Sequence, residues 1–190
     1  MWTFNSPTKI YFGEDEVRNI PTYLTEIGTQ RAFVICSPFT VRTGFVNALI
    51  ELDPERIVGF SDAVEPNPTI ENVDSCAAAV AEANADCIVA LGGGSIMDCA
   101  KAVAVAVATG RSGAELIAGS SITGALPIIA LPTTAGTASE VTAVTVLSDK
   151  DQGIKQPVAS PLMFPRIAVV DPKLTVSCPP ALTASTGLDA

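Results

Sequence analysis

The sequence predicts an open, mostly parallel α/β sheet with helices on both faces. Short β-branched runs alternate with longer segments of helical period, which is the order of elements in a parallel sheet joined by helices. The β-branched runs are apolar at nearly every position, which indicates that both faces of the sheet are covered. With 190 residues, 48% of them hydrophobic, the chain is long and apolar enough for one substantial core.

Strands are predicted at regular intervals along the chain, over residues 31–37, 56–60, 86–94, 126–134 and 166–172. After about Thr142 the sequence AVTVLSDKDQGIKQPVA contains two extended runs around a polar turn, which predicts a β-hairpin. Ligands on open α/β sheets bind beyond the carboxyl ends of the strands. The loops that follow the strands are therefore the candidate site.

Helices are predicted between these strands from the spacing of apolar residues. Val17, Ile20, Leu24 and Ile27 recur at intervals of three and four before a glycine, as in an amphipathic helix with a glycine stop. Another helix begins at Thr69, a suitable N-cap, and carries an apolar stripe along one face. The last segment, PPALTASTGLDA, opens with prolines, which the first turn of a helix accepts.

Composition excludes several function classes. The 20 acidic and 11 basic residues give a net charge of -9, which opposes binding to nucleic acid. No apolar run approaches the roughly 18 to 20 residues of a membrane span, and MWTFNSPTKIYFG does not resemble a secretion signal, so the cytoplasm is the expected location. The five cysteines form no C-x-x-C pair and are expected to be buried thiols. Because the chain has no histidine, it contains neither a Ser-His-Asp triad nor a histidine-ligated metal site of its own.

A glycine loop follows the apolar run CIVAL. Gly92 to Gly94 do not complete the G-x-G-x-x-G fingerprint, because Met97 stands where its third glycine would be. Backbone N–H groups at the start of the following helix can still bind an anion. The alternative is structural: Ser95 as N-cap and Asp98 three residues later match a capping-box pattern. The spacing alone leaves both interpretations open.

Two further segments strengthen the interpretation as an anion site. LPTTAGTASEVT, residues 131–142, follows another predicted strand and offers five hydroxyl groups, and its Gly136 permits close backbone approach. In EPNPTIENV two prolines are expected to hold Asn67 in an extended conformation, from which its amide could reach a ribose or a carboxamide. The alternative for both segments is an ordinary polar turn.

Four stretches together resemble the iron-dependent, or group III, alcohol dehydrogenases of the dehydroquinate-synthase-like fold. They are PNPTIENV, GGGSIMDCAKAVA, PTTAGTASEVT and DPKLTVSCPPALTASTGLDA. The resemblance covers the N-terminal half of the family, so it implies a Rossmann-like nucleotide-binding domain over residues 1–180. Residues 181–190 would begin the family's α-helical C-terminal domain, which this chain lacks.

The resemblance implies which residues contact a nicotinamide cofactor, NAD or NADP. The cofactor-binding positions are Ser37, Asn67, Gly93, Gly94, Ser95, Asp98, Thr133, Thr134, Thr137, Lys155 and Leu174. Among these, the glycine loop would hold the pyrophosphate, and Asp98 would lie near the nicotinamide. Many family members carry an aspartate where this chain has Ser37, and a neutral side chain there does not repel the 2'-phosphate of NADP. Asp189 matches the first ligand of the metal, Fe²⁺ or Zn²⁺.

The implied reaction is hydride transfer between an alcohol and nicotinamide, with a divalent metal that lowers the pKa of the alcohol. With one metal ligand of the family's four and no catalytic residue of its own, the chain alone is expected to bind nucleotide weakly or not at all and to lack dehydrogenase activity. The expected partners are the dinucleotide, a small alcohol or aldehyde, and further copies of the chain in a homo-oligomer. The alternatives are a zinc-dependent polyol dehydrogenase of the glycerol dehydrogenase type, a sugar-phosphate cyclase, and a non-catalytic nucleotide-binding module.

Overall fold

A computed structural model describes residues 6–190 of the chain. Residues 1–5 lie outside this range; they belong to the segment MWTFNSPTKIYFG, which does not resemble a secretion signal. A six-stranded parallel sheet forms the centre of the molecule. Its strands, in spatial order, are β1 (Lys9–Phe12), β8 (Ile167–Val170), β5 (Ile128–Pro132), β4 (Cys87–Gly92), β2 (Ala32–Cys36) and β3 (Ile57–Ser61). The predicted fold class is confirmed.

Within the described range there are seven α-helices, of which the first six connect strands and the seventh follows the last strand: α1 (Ile20–Glu26), α2 (Pro38–Arg42), α3 (Phe45–Leu52), α4 (Ile70–Glu82), α5 (Gly94–Thr109), α6 (Gly113–Ile117) and α7 (Pro180–Asp189). The predicted first helix is divided into a 3₁₀ turn, Glu16–Asn19, and α1, with a proline in the first turn of α1. It ends as predicted, because Gly28 adopts a φ of 77° that favours glycine. The predicted helix from Thr69 is confirmed as α4.

The core consists of two apolar layers, one on each face of the sheet. Successive residues of a strand point to opposite faces, so Ile88 and Ala90 of β4 join the layer under α4, α5 and α6, whereas Val89 joins the layer under α1 and α3. Helix α5 is buried over most of its circumference, because α4 and the hairpin cover the sides that do not face the sheet.

The predicted hairpin is confirmed as β6 (Val144–Asp149) paired antiparallel with β7 (Ile154–Ala159). It lies outside the main sheet and contacts α5. The cysteines also match the prediction: all five are free thiols, and only Cys178 is not fully buried. Within residues 6–190, no helix is both long and apolar enough to cross a membrane.

Candidate functional site

A cleft of about 1020 Å³ opens beyond the carboxyl ends of β2, β4 and β5. The hairpin and α7 form its other walls. Of the eleven predicted cofactor-binding residues, ten line this cleft: Ser37, Asn67, Gly93, Gly94, Ser95, Asp98, Thr133, Thr134, Thr137 and Lys155. Residues spread over more than a hundred positions of sequence therefore meet at one edge of the sheet, as an open α/β fold requires of a ligand site.

Leu174 and Asp189 are placed elsewhere. Leu174 is buried in the apolar layer under α1 and α3 and does not line the cleft. Ser177 and Cys178, a few residues later in the sequence, do line it. Asp189 is exposed in the last turn of α7 and also lies outside the cleft lining. The structure thus brings neither residue together with the other predicted site residues.

The glycine loop contacts the threonine turn, which is the segment of residues 133–137 after β5. A Cβ on Gly93 would lie 3.1 Å from Thr134 Oγ1, and a Cβ on Gly94 would lie 2.8 Å from Thr137 Cγ2. Any larger residue at Gly94 would therefore force Thr137 to move. The two loops form one surface, and the close contact with Thr137 explains why glycine is needed at Gly94.

The start of α5 has N–H groups without partners. Its N-cap is Gly93, which makes no side-chain cap. Among residues 6–190, no acceptor is hydrogen-bonded to the amides of Gly93, Gly94 or Ser95. The first N–H groups of a helix have no intrahelical acceptor, and with the helix dipole they favour an anion. Three such donors at the wall of an open cleft form a cradle suited to a phosphate group.

The capping-box interpretation of Ser95 and Asp98 is wrong. The hydroxyl of Ser95 instead accepts a hydrogen bond from the Asn67 N–H at 3.2 Å. The Asp98 carboxylate turns toward the hairpin, where it accepts from the Ser139 hydroxyl at 2.7 Å and the Val146 N–H at 3.0 Å. Because α5 begins at Gly94, both residues lie too far inside the helix to cap it.

The expected extended conformation of Asn67 is also wrong. Asn67 has a φ of 58°, in the left-handed region, although a proline follows it. Asparagine tolerates this region better than most residues, and two contacts hold it there. Its N–H binds Ser95, and its Oδ1 accepts a hydrogen bond from Lys155 Nζ at 2.8 Å. Asn67, which precedes α4, and Lys155, which lies on strand β7 of the hairpin, thus form a pair at the cleft wall.

Lys101 lies beside the site and was not among the residues predicted from the sequence. It lies on α5, is 0% exposed, and its Nζ is 4.0 Å from Asp98 Oδ1. Burial lowers the pKa of Lys101 to about 8, while the nearby carboxylates of Asp98 and Glu140 act in the opposite direction. A signal was present in the sequence: this lysine stands alone within a long run of alanine and valine, three residues after Asp98. A lysine on an otherwise apolar buried helix needs partners.

The part of the chain that the structure describes does not form a complete metal site. Within residues 6–190, no three His, Cys, Asp or Glu side chains cluster as metal ligands would. Asp189 is a single carboxylate on an exposed helix turn. Asp189 therefore stays a predicted ligand.

Comparison with known proteins gives a specific result. The family model described as iron-containing alcohol dehydrogenase matches residues 7–172. Alcohol dehydrogenase 4 of Saccharomyces cerevisiae is 36% identical over 98% of the chain and 50% of that protein. The 1-propanol dehydrogenase of Citrobacter freundii is 35% identical over 100% of the chain and 47% of that protein. The chain therefore spans about half the length of the curated relatives it matches.

Solved structures extend the likeness to three dimensions. The crystal structure of sulfoacetaldehyde reductase from Bifidobacterium kashiwanohense, in complex with NAD+, superposes with a TM-score of 0.96 and 39% identity. The match covers 100% of this chain and 51% of the reductase chain. The fold is thus shared with a protein whose crystal structure contains NAD+.

Proposed function

The chain belongs to the iron-containing alcohol dehydrogenase family, and on that premise we propose that it forms the cofactor-binding half of an NAD(P)-linked, metal-dependent alcohol dehydrogenase or aldehyde reductase. In this proposal residues 1–180 are the nucleotide-binding domain and residues 181–190 begin the helical domain. The complete protein transfers hydride between a small alcohol and the nicotinamide of the cofactor. The names of the relatives, which include a propanol dehydrogenase and an aldehyde reductase, support this substrate class.

One observation carries the proposal: the unpaired amides of Gly93, Gly94 and Ser95 at the wall of the cleft. We assign them to the pyrophosphate of the cofactor, with the hydroxyl groups of the threonine turn beside them. An anion bound there would meet three N–H donors and the positive end of a sixteen-residue helix. No carboxylate side chain lies at the first turn of α5 to compete with it.

The two ends of the cleft suit the two nucleosides. Ser37 follows β2, and the threonine turn follows β5, with the glycine loop of β4 between them. The resemblance to the family implies that the side chain at the position of Ser37 faces the adenosine ribose. We therefore place adenosine at Ser37 and nicotinamide between the threonine turn and the hairpin. Arg42 lines the adenosine end, and within residues 6–190 it forms no ion pair, so a 2'-phosphate would also find a cation there.

The experiment is a titration of the isotopically labelled 190-residue chain with ADP, NAD+ and NADP+, followed by amide NMR. At 19.5 kDa the chain is small enough for resolved amide signals. We expect saturable shifts of the Gly93, Gly94 and Ser95 signals with all three ligands, because each carries the diphosphate. Shifts confined to residues outside the cleft, or no shift at millimolar ligand, would contradict the proposal. A stronger response to NADP+ than to NAD+ would assign the Arg42 end to a 2'-phosphate.

A further inference from the structure

Lys101 has three hydrogen-bond acceptors, one for each proton of its ammonium group. Its Nζ donates to Ser139 Oγ at 2.7 Å, to Val144 O at 2.8 Å and to Thr142 Oγ1 at 3.1 Å. All three lie on the segment that runs from the threonine turn into the hairpin. A buried charge is costly unless hydrogen bonds compensate it, and here three neutral acceptors do so. The ammonium therefore joins α5 to the segment that forms the nicotinamide end of the cleft.

The ammonium also fixes the direction of the next hydrogen bond. Because it has no acceptor, the Ser139 hydroxyl must accept from Lys101 and use its own proton elsewhere. That proton goes to Asp98 Oδ1, at 2.7 Å. Asp98 Oδ2 accepts from the Val146 N–H. Both carboxylate oxygens are thus held as acceptors, which matches the ionised form of Asp98.

Asp98 keeps acceptor capacity on the cleft side. Its side chain lines the cleft and is 18% exposed, and each of its oxygens has one protein donor out of about two that it can accept. Asp98 lies about 6 Å along the helix axis from Gly94, since each residue adds about 1.5 Å. A diphosphate on the glycine loop would therefore place the ribose or ring of the neighbouring nucleoside beside Asp98.

We propose that Lys101 is a positioning residue for the nicotinamide half of the cofactor: through Ser139 it orients Asp98 as a pure acceptor for a donor group of the ligand. The donor is an O–H of the second ribose or an N–H of the carboxamide. This inference rests on the proposed function, because the proposed diphosphate site determines what lies beside Asp98. Lys101 itself touches no ligand.

The test compares the affinities of ADP, ADP-ribose and NAD+ for the 190-residue chain and its variants. ADP carries only the adenosine half and the diphosphate, ADP-ribose adds the second ribose, and NAD+ adds the carboxamide. We expect the affinity of the wild type to increase along this series. If the donor is an O–H of the second ribose, ADP-ribose binds more tightly than ADP; if it is the carboxamide N–H, NAD+ binds more tightly than ADP-ribose. In Lys101→Met and Ser139→Ala the gain falls at least about tenfold, as expected for one hydrogen bond to a charged group, while ADP affinity is unchanged.

Thr145→Val is the matched control. The Thr145 hydroxyl is buried and donates to the backbone carbonyl of Asp98 at 2.7 Å, so its loss weakens the same junction without touching the carboxylate. We expect this variant to be less stable, yet to keep the full gain from ADP to NAD+. Three results would overturn the inference. The gain in affinity from ADP to NAD+ could persist in both test variants, it could be lost equally in Thr145→Val, or it could be absent in the wild type. Equal weakening of ADP would also overturn it, by showing a structural role only. Failure of the wild type to bind ADP would instead contradict the proposed function.

Discussion

The two longest helices of the chain, α4 and α5, begin in opposite ways. At α4 a reciprocal capping box is formed: the Thr69 Oγ1 accepts from the Asn72 N–H, and the Asn72 side chain accepts from the Thr69 N–H, each at 3.2 Å. At α5 the cap is Gly93, with no side chain to satisfy the first amides. One helix start is closed by the protein's own groups, whereas the other is open to the cleft.

The difference shows where the fold has given up local stability. A capping side chain contributes about 1 kcal/mol to a helix start, and α5 forgoes this contribution. Packing stabilises α5 instead of a cap, because most of its residues are buried in the core. The open amides can therefore be left for a ligand without loss of the fold, and a bound anion would supply the missing acceptors.

The largest expected effect comes from closing α5 in the manner of α4. Gly93 has a φ of -83° and a ψ of -170°, a conformation in which Asp or Asn can cap the helix. In Gly93→Asp the new carboxylate would occupy the amides and repel a phosphate, so we expect ADP affinity to fall at least about a hundredfold, or about 2.7 kcal/mol. Gly93→Asn, a neutral cap, should cost about tenfold. Calorimetric titration with ADP measures both.

Gly93→Ala is the control for the added Cβ, which all three variants place near Thr134. We expect its affinity to lie closest to that of the wild type, and its free energy of unfolding to lie about 1 kcal/mol below that of the capped variants. Equal ADP affinity in Gly93→Ala and Gly93→Asp would show that the amides of α5 do not bind the phosphate.

The sheet could be predicted from sequence because each of its buried strands is a compact apolar run. The edge strand β1 was missed, since its four residues are mostly exposed and carry no such pattern. Helix α3 was missed as well, although its apolar residues do follow helical spacing. In both cases the segment is short, and its structure is fixed by the neighbours it packs against.

For the site, sequence order was enough to predict that the loops after β4 and β5 meet, because parallel strands end at one edge. It was not enough to predict hydrogen-bond partners. Ser95 and Asp98 fit a capping box by spacing, but the N-cap is Gly93, so the helix begins two residues too early for that role. The partner of Asp98 is Ser139, 41 residues away, and no local pattern specifies such a pair.

A second difference between the helices is the charge inside them, which predicts a pH effect. α5 contains the buried ammonium of Lys101, whereas α4 has no cationic residue. The pKa of Lys101 falls from 10.5 to about 8 on folding. Between these values the unfolded chain binds a proton that the folded chain does not, so the contribution of Lys101 to stability rises with pH. From pH 8 to pH 10 we expect a rise of about 2 kcal/mol.

The measurement is the difference in unfolding free energy between the wild type and Lys101→Met, from urea titrations across that pH interval. Other groups that titrate there, including the thiols, are present in both proteins and cancel in the difference. The charged groups nearest to Lys101 are Asp98 and Glu140, and both are present in the two proteins that are compared. A difference that stays constant from pH 8 to pH 10 would mean that Lys101 keeps its proton in the folded chain.

The smallest expected effect is at the closed helix start, where Thr69→Ala removes the cap of α4. Thr69 is buried and its hydroxyl accepts from the Asn72 N–H, so we expect a loss of about 1 kcal/mol in unfolding free energy. ADP affinity should not change, because this cap serves only the helix. Urea unfolding and ADP titration of one preparation measure the two quantities together.

Since Gly93→Asp is expected to do the reverse, weakening ADP binding while stabilising its helix start, the pair separates a cap that serves the fold from amides that serve a ligand. Weaker ADP binding in Thr69→Ala, without partial unfolding, would remove that separation.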